Sequence, residues 1–141
     1  MRVFISYRRG DAPDATDRLA EKLRRRFGRD NVFIDIESVE AGADFMAVIG
    51  DRVRHCDAFL AVIGQEWLDV RGADGGRRID DPGDPVRLEI EAALERNVQI
   101  FPVLVHGARA PEQIELPASV APLMRHNAVE LTRRPGRFQD R

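Results

Sequence analysis

The chain has 141 residues, 43% hydrophobic and 33% charged, the balance of one folded domain rather than of a disordered segment. Its net charge of −2 lacks the broad positive field of a protein that binds nucleic acid directly. No stretch approaches about 18 consecutive apolar residues, the N-terminus shows no leader layout, and Cys56 is the single cysteine, so the composition predicts a cytoplasmic protein with no disulfide framework and no membrane span.

Short apolar runs rich in β-branched residues alternate with helical patterns. "RVFISY" (2–7) predicts a first strand, and Thr16, Leu19, Leu23 and Phe27 share one face of a helix over 13–27. "VFIDI" (32–36) predicts a second strand, and the loop "ESVEAGA" leads to a helix over 44–55 with Phe45, Val48, Ile49 and Val53 on one face. "AFLAVI" (58–63) is apolar throughout, as a strand buried on both sides must be. A long polar loop, 64–83, precedes a third helix that opens at "DPVRLEIEAAL" (84–94). "IFPVLV" (100–105) and "AVEL" (128–131) predict the last strands, with a short helix between them around "LPASVAPLM". The end, "TRRPGRFQDR", predicts a polar tail or linker, or a truncated last helix, so that 1–132 forms the domain and 133–141 leads to a further one.

Strand–helix alternation predicts an α/β fold with a parallel sheet covered on both faces. Ligands of such sheets bind beyond the carboxyl ends of the strands. On that rim lie "YRRGD", "DIESVEAG", the long loop and "HGARAP". The third helix begins at the same rim, with Asp84 suited to its N-cap and Pro85 to its first turn. At roughly 100° per residue, Val86, Ile90, Ala93 and Leu94 form its apolar stripe, and Arg87, Glu91 and Glu95 form a solvated face. Glu89 falls beside the stripe, between Ala92 and Ala93 on the wheel. It is either a boundary residue whose stem packs while its head reaches water, or a carboxylate presented to a ligand.

"VFISYRRGD", then "VFIDIESVEAGADF", then "DPVRLEIEAAL" followed by "IFPVLV", resembles the TIR domain, the Toll/interleukin-1 receptor type, over about residues 2–131. Each piece is weak alone; their order and spacing together are specific. The resemblance implies a flavodoxin-like three-layer sandwich with a five-stranded parallel sheet. It is nearest to the bacterial-type branch that cleaves NAD+ to nicotinamide and linear or cyclic ADP-ribose, in antiviral defence or cell-death signalling. It further implies that Glu89 is catalytic and that Tyr7, Arg8 and Arg9 line the NAD+ site. The loop Glu37, Ser38, Val39, Glu40, Ala41 and Gly42 would mediate assembly with other TIR domains. Several active members carry Trp four residues before the glutamate, where this chain has Pro85.

Asp35, at the rim, and Phe45, at the start of the second helix, join the expected substrate-binding set. Trp67 joins it as an aromatic face from the loop after the third strand, or else anchors that loop. Asp35 either meets a ribose hydroxyl or caps its loop. Arg8 and Arg9 should point to opposite sides, one to a pyrophosphate; the alternative for either is an ion pair with Asp11 or Asp35. The resemblance implies NAD+ as substrate with no cofactor, and the scattered His55, His106 and His126 predict no metal. One carboxylate suffices for the chemistry, because nicotinamide leaves a cationic pyridinium as a neutral molecule and needs no general acid. The competing reading is a TIR adaptor that only assembles. A phosphorelay receiver lacks its lysine, since the chain's one lysine is Lys22 in the first helix, and no Walker or "GxGxxG" loop is present. A nucleoside deoxyribosyltransferase-like enzyme is a more distant alternative.

Overall fold

The strand β1 (Val3–Tyr7) lies inside the sheet, paired in parallel with β2 (Val32–Ile34) on one side and β3 (Ala58–Ile63) on the other. The computed structural model describes residues 1–34, 45–131 and 138–139. Among these, β3 is followed outward by β4 (Gln99–Leu104), β5 (Val129–Leu131) and β6 (Phe138–Gln139), giving the order β2-β1-β3-β4-β5-β6. The first five strands are parallel, as the alternation predicts, in the flavodoxin-like arrangement that the resemblance implies. The two-residue β6 runs antiparallel to β5, with Gln139 opposite Glu130, so the tail read as a linker contributes to the sheet. A returning segment there satisfies backbone groups that β5 would otherwise expose at an edge.

Alternation along the strands divides the core. Val3, Ile5, Leu60, Val62 and Val103 face α1 (Pro13–Phe27), whose Ala15, Leu19 and Ala20 are buried against them. Phe4, Phe59, Ala61, Ile63 and Ile100 face the other way, toward α2 (Phe45–Arg54) and α3 (Pro85–Glu95). There Ile49, Val53, Val86, Ile90 and Ala93 are at most 1% exposed. Phe4 and Phe59 are register partners whose rings stack at 5.2 Å between centroids. All six residues of β3 are buried, as its uninterrupted apolar run requires. The short helix expected around 116–124 is instead 3-10 turns, Gln113–Glu115 and Ala121–Arg125, with Pro117 and Pro122 removing backbone donors from the stretch.

Strand order reverses between β1 and β3, so the ends of these two strands form the switch point where ligands of such sheets sit. Asp11, itself 3% exposed, holds the β3 side of that point. Its carboxylate accepts hydrogen bonds from the Gly64 amide at 2.9 Å and the Glu66 amide at 3.0 Å. It does not form the ion pair with Arg8 or Arg9 that the sequence left open. A Cβ on Gly64 would lie 2.3 Å from Asp11 Oδ1, so only glycine admits this carboxylate. Gly64→Ala should therefore break both bonds and lower stability by about 2 kcal/mol or more. A urea titration with an unchanged midpoint would refute this account of the loop anchor.

Candidate functional site

The helix α3 starts at Asp84, whose side chain accepts from the Arg87 amide at 3.2 Å while Pro85 occupies the first turn. Five residues on, Glu89 is 3% exposed, so it is not a boundary residue with its head in water. A carboxylate taken this far out of water needs donors. One is Ser6 on β1, whose hydroxyl donates to Glu89 Oε1 at 2.7 Å across 83 residues of sequence.

Two residues further on, just past the end of β1, Arg8 meets the other end of the same stretch. Its Nη1 donates to Asp84 Oδ1 at 2.5 Å, and both side chains are fully buried. Arg78, from the loop after β3, stands 3.9 Å from the same carboxylate oxygen. Asp84 thus caps α3, neutralises Arg8 and faces Arg78. Arg8 Nε and Nη2 have no hydrogen-bond partner, so the pairing leaves part of a guanidinium's donor capacity unused.

The structure brings Ser6, Arg8, Asp84 and Glu89 together, and it separates other residues expected beside them. Arg8 is turned inward onto Asp84, with both side chains buried. Arg9 is exposed, as alternation predicts for its neighbour. Tyr7 packs with the α1-side core, on the face opposite Ser6. Trp67 is 1% exposed within the core that holds Phe4, Val86 and Ile90. The indole is packed as an anchor of its loop, one of the two roles that the sequence leaves open for it. Asp35, the loop Glu37–Gly42 and the Phe45 side chain lie outside the described residues. Sequence reasoning missed Ser6, and it read Asp84 only as a cap. The available signal was the two-residue period of β1, which places Ser6 and Arg8 on one face.

The outer face of α3, expected to be solvated, is partly covered. Arg87 donates to Glu91 at 2.9 Å and to the Ile79 and Asp80 carbonyls at 3.2 and 3.1 Å, while Ser119 donates to Glu91 at 2.5 Å. The loop carries its own pairs. Arg77 donates to both oxygens of Asp80 and holds that carboxyl below its ordinary range against the opposing effect of burial, with the nearby Arg87 and Arg71 charges adding to the lowering. Arg109 holds Glu115 at about 2, aided by the Glu112 amide. A depressed carboxylate favours the fold above its ordinary range, so this contribution disappears as pH falls toward about 2. Cys56, buried behind α2, is pushed up to about 11 by burial and by Asp57, which leaves its thiol protonated and inert near neutrality. Among the described residues no group of three or more His, Cys, Asp or Glu side chains is placed to hold a metal, and no helix is long and apolar enough to cross a membrane.

The family described as the TIR domain matches residues 3–140. The NAD(+) hydrolase sarm1 of Drosophila melanogaster is 32% identical over 127 residues, which is 90% of this chain and 9% of that protein's length. Among solved structures, the CMP N-glycosidase BcmB of Clostridium botulinum aligns over 93% of this chain and 88% of its own, at 18% identity and a TM-score of 0.44.

The burial of Arg8 changes what its removal should do. Arg8→Ala leaves the buried Asp84 with only the more distant Arg78 as a countercharge, a loss of about 3 kcal/mol, or a melting temperature lower by roughly 6–12 °C for a domain of this size. A variant that melts like the wild type while losing affinity for a phosphate-bearing ligand would instead return Arg8 to the ligand surface.

Proposed function

The chain belongs to the TIR domain family, and we propose that it cleaves the bond between nicotinamide and ribose in NAD+, with Glu89 as the catalytic carboxylate. The observation that carries this reading is Glu89 itself: a glutamate 3% exposed at the ligand end of α3, held at 2.7 Å by Ser6 beside the sheet's switch point. The likeness to a protein named an NAD(+) hydrolase supports it.

The chemistry suits a single fixed anion. As the C1′–N bond breaks, its electron pair goes to the pyridinium nitrogen and nicotinamide departs neutral. Positive charge develops at C1′, and a preorganised carboxylate stabilises it without having to reorganise. Water then adds to C1′ and loses a proton, giving ADP-ribose. Capture by a nitrogen of the adenine in place of water would give the cyclic product. With Arg8 committed to Asp84, Arg9 is the rim guanidinium assigned to the pyrophosphate, a match of paired donors to phosphate oxygens.

A carboxylate so little exposed fits a site that becomes competent only on self-assembly. The reading therefore includes association through Glu37–Gly42 with other copies of the domain, the arrangement expected of a defence or cell-death switch. In a folded Gly42→Pro protein, association by light scattering and nicotinamide release should fall together. Loss of neither would remove the loop from the reading.

The decisive variant is Glu89→Gln, which preserves shape and can still accept from Ser6 but carries no charge. Nicotinamide release under assembling conditions should fall at least about a hundredfold, with little change in melting temperature. Full turnover in this variant would end the catalytic assignment. A wild type that assembles yet releases no nicotinamide would establish the adaptor instead.

A further inference from the structure

β1 is a central strand of apolar residues interrupted by one hydroxyl. Val3, Phe4 and Ile5 are at most 2% exposed, and Ser6 follows them at 2%. Nothing in the packing of a parallel sheet asks for a hydroxyl there, and a buried one without a partner would destabilise the fold. Ser6 has its partner in Glu89.

We infer that Ser6 is a positioning residue for Glu89: its hydroxyl fixes the carboxylate's orientation and favours its ionised form. The inference rests on the reading of Glu89 as the catalytic group. Ser6 is well placed for this role because its backbone is bound on both sides. β1 pairs with β2 and with β3, where Ser6 is in register with Ala61. A short side chain on such a strand has few ways to move, so Oγ is a donor at a set position. The adjacent tie from Arg8 to Asp84 fixes the start of the same helix, so Glu89 is located through its backbone by one contact and through its carboxylate by the other. A hydroxyl donating to a carboxylate stabilises the charged state over the neutral one.

Ser6→Ala deletes the donor and leaves the strand apolar, so the protein should fold. Under the conditions in which the wild type turns over, kcat should fall about tenfold with KM changed less than about twofold, the pattern for a contact that matters in the transition state. The acid limb of the pH–rate profile should move upward by about one unit. Among the described residues the charged groups at this end of the site include Arg8, Arg9 and Asp11 after β1, Arg78 of the loop and Asp84 at the α3 N-cap, with Tyr7 on the opposite face of β1; all are kept in the variant, so the displacement reports Ser6. Ser6→Thr restores the hydroxyl on a residue suited to strands and should recover most of kcat.

A second measurement does not need turnover. The carboxyl carbon of Glu89, identified by its absence from the Glu89→Gln spectrum, can be titrated by 13C NMR in wild type and in Ser6→Ala. A midpoint raised by about one unit supports the inference even if the wild type proves not to release nicotinamide, an outcome that would refute only the assigned reaction. An unmoved midpoint in a folded Ser6→Ala protein, or wild-type kcat with an unmoved acid limb, overturns the role of Ser6 while leaving the reading of Glu89 intact.

Discussion

Withdrawing Asp84 and Glu89 from water is the constraint around which the rest of the ligand end is arranged. Each is a carboxylate of the α3 segment at most 3% exposed, and each is met by a side chain from the same face of β1. An unmet buried charge would cost several kcal/mol, so β1 must lie deep in the sheet and α3 must start directly over its end. Pairing alone does not make Arg8 and Asp84 a source of stability. Buried ion pairs often do no better than apolar residues of the same volume, and Arg8 leaves Nε and Nη2 unpartnered. The effect of the pair is positional: it couples strand end, helix start and, through Arg78, the intervening loop.

That loop is long for a compact domain, and long ordered loops usually need anchors of their own. Here they come in sequence. Asp11 holds its first residues through two amides, Trp67 and Ile79 bury its middle, and Arg87 takes hold of the carbonyls of Ile79 and Asp80. Arg77 ties it onward to the Glu115 carbonyl at 2.8 Å. The outer face of α3 is therefore an interface with its own loop, and the buried Trp67 helps to keep that loop in place.

Most of the architecture was legible because periodicity is a property of one element at a time. The bounds of α1 and β3 follow directly from their apolar spacing, and the placing of Arg8 and Arg9 on opposite sides follows from a two-residue period. What was not legible concerned which element lies opposite which. The Arg87–Glu91 face reads as solvated because nothing local states that a loop folds back over it. Ser6 carries no signal of its own in the sequence, since its meaning depends on Glu89, 83 positions away. The last strand, β6, was read as linker because two residues carry no period at all.

The two ties from β1 differ in kind, and the difference bears on the proposed chemistry. Asp84 receives a guanidinium, so its charge is matched at 2.5 Å before any ligand arrives. Glu89 receives from β1 a neutral hydroxyl, which orients a carboxylate without cancelling it. A carboxylate meant to stabilise an oxocarbenium ion gains most when its partner charge is the one that develops in the transition state. Of the two donors at this end of the sheet, the one that reaches Glu89 brings no positive charge of its own to the carboxylate. On that argument the one-residue alternation of β1, which sets Ser6 under Glu89 and Arg8 under Asp84, separates the anion that builds the helix start from the anion assigned to the reaction.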